Sequence, residues 1–190
     1  MYNIIFLDID GVLNGYNFWS LLGWKIACIT HSKHIKDWYR KVSDPCGIHE
    51  KKVKKLAKIV SKTNAKVVMS SCWRFSFWKT PYEEKTGNQK KLTDLLKKYQ
   101  IEVIDITSRS SDGNRSKEIN TWLSQNKDKV KDFIVLDDER FDLECFVGNH
   151  LIQTSSVKKG QIIKGHWVEN TGLRNKHVKM AINYLKEGII

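Results

Sequence analysis

Asp8 and Asp10 stand two residues apart at the end of an apolar run, Ile4 to Leu7, and Gly11 follows them. The run reads as a buried strand, and the glycine permits a tight turn after it. At a spacing of two, both side chains share one face if the strand persists. Two carboxylates held close repel each other, so such a pair calls for a cation or a shared proton. The blander reading is a turn aspartate beside a capping aspartate.

Three more polar groups sit at comparable places. Ser70 and Ser71 follow the apolar Val67-Val68-Met69, Arg115 and Lys117 flank the start of a helical stretch, and Asp137 and Asp138 follow Ile134-Val135-Leu136. Each alone has an ordinary explanation as a turn hydroxyl, a solvated charge or a cap. In an α/β sheet, however, ligands bind beyond the carboxyl ends of the strands, and all four groups would converge there. Acids beside a hydroxyl and a cation suit phosphoryl transfer. A hard cation such as Mg²⁺ takes oxygen ligands and keeps phosphate oxygens as partners. The protein then supplies positioning and charge neutralisation.

The elements that would position these groups alternate along the chain. Val53, Leu56, Ala57 and Val60 recur at helical spacing within residues 50–63, with Asn64 suited to the exit. A strand over 66–69 follows, then an aromatic and polar loop over 75–88 broken by Pro81 and Gly87. A helix over 90–99, a strand over 101–106 and a helix capped by Ser116 come next. Strands over 133–136 and 150–153 precede a last helix that Thr171 would cap. Such alternation predicts an α/β fold, a doubly wound, mainly parallel sheet with helices on both faces. We expect one domain over 1–190, with 15–48 as a small helical cap inserted after the first strand.

The 33 basic residues against 21 acidic give a net charge of +12. That balance favours phosphate-bearing partners or a lysine-rich soluble surface, and says little about fold. No signal peptide is visible, and no apolar run nears the roughly 20 residues that span a bilayer. Cys28, Cys46, Cys72 and Cys145 contain no Cys-x-x-Cys pair. Four cysteines in 190 residues do not suggest a disulfide scaffold, so the expected compartment is the reducing cytoplasm.

With these residues in order, the chain resembles the haloacid dehalogenase-like (HAD) superfamily on its phosphatase side, over about residues 2–155. The first family motif matches Asp8-Ile9-Asp10-Gly11-Val12-Leu13, and the second matches Val67-Val68-Met69-Ser70. The third matches Arg115 or Lys117, and the fourth matches Ile134-Val135-Leu136-Asp137-Asp138. The stretches Ser70-Ser71-Cys72-Trp73-Arg74 and Arg115 to Leu123 are similar to a compact branch that includes domains of RNA-repair proteins.

The resemblance implies a Rossmann-like fold and an Mg²⁺-dependent phosphatase. Asp8 would attack phosphorus to form an aspartyl-phosphate. Asp10 would protonate the leaving oxygen and then deprotonate the hydrolytic water. Asp8, the Asp10 backbone carbonyl and Asp137 would hold Mg²⁺, with Asp138 assisting. Ser70 would bind the transferring phosphoryl group, joined in phosphate binding by Ser71 and Arg74, and Arg115 or Lys117 would offset its charge. The leaning is to Arg115, while Lys117 in the first helical turn could reach the same rim.

Two further signals accompany this site. Cys28-x-x-His31 and Cys46-x-x-His49 offer a tetrahedral set for structural zinc, against a plain reading of buried cysteines and surface histidines. Trp73, Phe75, Phe77 and Trp78 interleave with Arg74 and Lys79, which suits base stacking as well as core packing. With the basic balance, this favours a nucleotide or an RNA or DNA end as substrate. The alternatives are a small-metabolite phosphatase and a catalytically silent HAD-fold nucleic-acid-binding module. A response-regulator-like receiver would carry its acid pair on the first strand and its acceptor later, the reverse of the order here.

Overall fold

A computed structural model describes residues 1–14, 47–154 and 172–187. Five strands form one all-parallel sheet in the order β3-β2-β1-β4-β5. They are β1 (Tyr2–Leu7), β2 (Lys66–Met69), β3 (Val103–Ile106), β4 (Val130–Asp137) and β5 (Leu151–Gln153). The helices are α1 (Glu50–Thr63), α2 (Arg74–Lys79), α3 (Gly87–Lys98), α4 (Arg115–Gln125) and α5 (Asn175–Glu187). The expected doubly wound arrangement is what the chain adopts.

Alternation along the strands divides the core in two. Ile5, Leu7, Val67, Met69, Ile134 and Leu136 face α1, α3 and α5 through Leu56, Leu92 and Ala181. Ile4, Phe6, Val68 and Val135 face α4 and the loop beyond β4 through Ile119, Trp122, Leu143 and Phe146. Parallel strands covered on both sides are expected to be apolar throughout, and Ile4 to Leu7 are fully buried.

Helix α1 has the predicted bounds, and Asn64 closes it in the left-handed conformation at φ 51°. The stretch read as a loop over 75–88 contains α2 and a 3-10 turn, Tyr82–Glu84. Pro81 caps the 3-10 turn, and Gly87 opens α3 at φ 51°. Helix α4 begins two residues earlier than a Ser116 cap implies. Asn114 is its cap, accepting from the Lys117 amide at 3.0 Å, while the Ser116 hydroxyl donates to the Asp142 carbonyl. Thr171 and all but the edge of the expected cap over 15–48 lie outside the described residues.

Candidate active site

Three adjacent strands deliver the acids and hydroxyls to one rim. The pairings Leu7↔Met69 and Leu7↔Leu136 set Asp8, Ser70 and Asp137 side by side at the strand ends. The Asp8 amide donates to the Leu136 carbonyl at 2.9 Å, and the Ser70 amide to the Leu7 carbonyl at 3.0 Å. Carboxylate oxygens of Asp8, Asp137 and Asp138 lie within 4.8 Å of one another. Burial, reinforced by Asp137 and Asp138, raises the Asp8 carboxyl well above its ordinary range, and Arg115 offsets only part of this. Burial also raises Asp137, again against the pull of Arg115. A cluster of buried acids that resists ionisation in this way is stabilised by an added cation. Its hard oxygen donors fit Mg²⁺.

Arg115 reaches this cluster from the first turn of α4. Its Nη1 pairs with Asp137 and lies 3.4 Å from Asp8 Oδ1. Burial opposes its charge, but the fields of Asp137 and Asp8 prevail and hold the guanidinium more firmly protonated than usual. Its backbone is fixed as well, because the Arg115 amide donates to Asp142 Oδ2 at 2.9 Å. Lys117 points elsewhere and pairs with Asp112 in an exposed contact.

Asp10 is separate from the acid cluster. Strand β1 stops at Leu7, and the Ile9 carbonyl then accepts from the Val12 and Leu13 amides in a turn. The shared face expected of a continuing strand is therefore lost between the two acids. Asp10 Oδ1 accepts from Asn14 Nδ2 at 2.7 Å, and Oδ2 accepts from the Trp73 indole N–H at 2.9 Å. The Cys72 thiol lies 3.6 Å from the same Oδ2. Gly11 sits at φ 67°, and its amide donates to Asn14 Oδ1 at 2.7 Å. One asparagine thus closes the turn and aims the acid.

The two serines differ. The Ser71 hydroxyl oxygen accepts from the Trp73 amide at 3.3 Å, while the Ser70 hydroxyl is buried without a partner among the described residues. Arg74, expected to bind phosphate, is a buried strut instead. Its Nε donates to the Thr107 carbonyl at 3.0 Å, and Nη1 donates to the Ser70 and Ser71 carbonyls at 3.3 and 3.0 Å. Its Nη2 reaches the Ser108 carbonyl at 3.5 Å and Glu118 at 2.8 Å. All five N–H donors have acceptors, which leaves none for a substrate. Of the zinc set, Cys28, His31 and Cys46 lie outside the described residues, leaving only His49 in view.

Three positioning residues carry no sequence signal that marks this role. Asn14 stood four residues from Asp10, a spacing that a turn rather than a strand brings together. Trp73 reads as core or stacking, and only its N–H to Asp10 distinguishes it. Thr154 ties the first and fourth strand ends, its hydroxyl donating to the Gly11 carbonyl at 2.7 Å and its amide to the Asp137 carbonyl at 2.8 Å. A buried threonine just after β5 was the only hint.

A pocket of about 320 Å³ opens over these groups, walled by Asp8, Asp10, Cys72, Arg115, Asp137 and Asp138, with Phe141 on its edge. No described helix is long and apolar enough to cross a membrane. Neither the comparison with curated proteins nor that with solved structures gives a match. A family model does match residues 4–159, which include Asp8, Ser70, Arg115 and Asp137. The chain belongs to that family, the HAD domain in Swiss Army Knife RNA repair proteins.

Proposed function

We propose that this chain is an Mg²⁺-dependent phosphatase acting on phosphate carried by a nucleotide or a nucleic-acid end, through an aspartyl-phosphate on Asp8. The observation that carries the reading is the division of labour between two aspartates. Asp8 shares a buried cluster with Asp137, Asp138 and Arg115. Asp10 is held outside that cluster by Asn14 and Trp73. A nucleophile and a general acid need different surroundings, and these two have them.

Asp8, Asp137 and Asp138 would hold Mg²⁺, which when bound supplies charge neutralisation to phosphoryl oxygens. Asp8 attacks phosphorus while Arg115 draws the phosphoryl charge toward the rim. Asp10 delivers a proton to the leaving oxygen, then takes one from the water that attacks the aspartyl-phosphate. Ser70 and Ser71 donate to phosphoryl oxygens. Lys117 remains a surface residue in this scheme. The family's place in RNA repair supports a nucleic-acid substrate, as does the charge of +12.

The test is a panel of an aryl phosphate, mononucleotides, 5′- and 3′-phosphorylated oligonucleotides and sugar phosphates, each with Mg²⁺ and with chelator. Wild type should turn over at least one phosphorylated oligonucleotide or nucleotide only with metal. Folded Asp8→Asn should turn over none. Hydrolysis of sugar phosphates alone would remove the nucleic-acid reading, and inactivity on the whole panel would remove the enzyme.

A further inference from the structure

A second cleft of about 160 Å³ adjoins the catalytic pocket, and Cys72 and Arg115 line both. The two differ in charge. Among the described residues, the catalytic pocket is walled by six acids and one cation. The second cleft holds Arg74, Arg109 and Arg115, with Glu118 as its only acid among the described residues, and Phe75 beside them. Glu118 is already neutralised by Arg74 at 2.8 Å and accepts from the Ser110 amide at 3.0 Å. Arg109 is exposed and forms no ion pair with any described residue. Its loop is nonetheless fixed, because Glu118 anchors Ser110 next to it and the Gly113 amide donates to the Ser110 carbonyl at 3.1 Å. An available guanidinium on a pinned loop is a built anion receptor.

We propose that this cleft is a substrate subsite. Arg109 binds the internucleotide phosphate next to the terminal phosphate held in the catalytic pocket, and Phe75 packs against the adjoining nucleoside. The Arg74 guanidinium lies 4.7 Å from the centre of the Phe75 ring, which keeps the ring in place. A nucleic-acid end carries its second anion on the nucleotide beside the terminal phosphate, whereas a mononucleotide or aryl monophosphate has none. The subsite therefore makes the enzyme prefer a polymer end over a mononucleotide. This rests on the phosphatase reading above, and it adds the substrate's second point of contact.

The experiment compares wild type with Arg109→Ala on an aryl phosphate and on 5′- and 3′-phosphorylated dinucleotides and longer oligonucleotides. The quantity read is kcat/KM on the better oligonucleotide divided by kcat/KM on the aryl phosphate. We expect this ratio to fall about tenfold, mainly through KM, with Arg109→Lys recovering part of it. The salt dependence of oligonucleotide KM should lose a slope of about 1, as for one phosphate contact removed. An unchanged ratio, or an equal loss on both substrates, would overturn the subsite.

Direct binding of the phosphorylated oligonucleotide to Asp8→Asn protein, with and without Arg109→Ala, separates the two claims. Weakened binding without wild-type turnover keeps the subsite and removes the phosphatase. Turnover with binding indifferent to Arg109 does the reverse.

Discussion

Replacing Arg74 by methionine keeps the length of the side chain and removes its charge. Glu118, 3% exposed, would then be a buried carboxylate without its partner. Breaking a buried pair from one side costs about 3–5 kcal/mol. The Thr107, Ser70 and Ser71 carbonyls would lose their donor as well. Against a typical stability of about 5–15 kcal/mol, the loss is large. With a urea dependence of about 2 kcal/mol per molar, the unfolding midpoint should drop by roughly 2 M. The double variant Arg74→Met/Glu118→Leu should recover much of this, since no buried charge is left alone. Circular dichroism in urea measures both. A single variant of near wild-type stability with a raised KM would refute the strut and return Arg74 to phosphate binding.

Trp73→Phe removes one hydrogen bond to Asp10, worth about 1.5–3 kcal/mol for a charged acceptor, so kcat on a nucleotide should fall about ten- to a hundredfold. An aryl leaving group needs less proton assistance and should lose less, and equal losses would exclude a role through Asp10. Arg115→Ala should depress kcat severely and Lys117→Ala should leave it near wild type, which steady-state kinetics would check directly. Mg²⁺ should raise the Tm of wild type by relieving the Asp8, Asp137 and Asp138 repulsion, and the gain should shrink in Asp137→Asn, read by thermal shift. Burial lowers buried His177 to about 4, so its charging is resisted in the fold but not in the unfolded chain. Its contribution is complete above pH 6.5 and is lost as pH falls toward 4, so His177→Gln should flatten the fall in Tm across that window.

Most of the frame was legible because its signals are local. Ile4 to Leu7 and Val67 to Met69 are apolar runs that only a covered strand satisfies, and α1 repeats its apolar residues at helical spacing. Strand ends follow from strands, so Asp8, Ser70 and Asp137 could be placed on one rim before any coordinates. What escaped depends on side-chain reach. Nothing local distinguishes a guanidinium that binds phosphate from one that binds five protein acceptors, and Arg74 does the latter because Glu118 lies across the loop. Lys117 and Arg115 differ by two positions, and the turn of α4 sends one to Asp112 and the other to Asp137. Asp10 parts from Asp8 because β1 ends three residues sooner than a shared face requires.

The central place of β1 makes the rim a product of contacts that are distant in the chain. Ile5 pairs with Val67 on one side and with Ile134 on the other, so the catalytic rim closes only through contacts distant in sequence. Such contacts are slow to form, since the intervening chain must be ordered first. By contrast, α4 and β4 are near neighbours in the chain, and Arg115 meets Asp137 within that later half. Asp8, brought in from the start of the chain, lies beside an acid whose counter-charge comes from its own half of the sequence. In the folded sheet the guanidinium between Asp8 and Asp137 thus offsets a repulsion that two bare carboxylates would place across the β1–β4 seam.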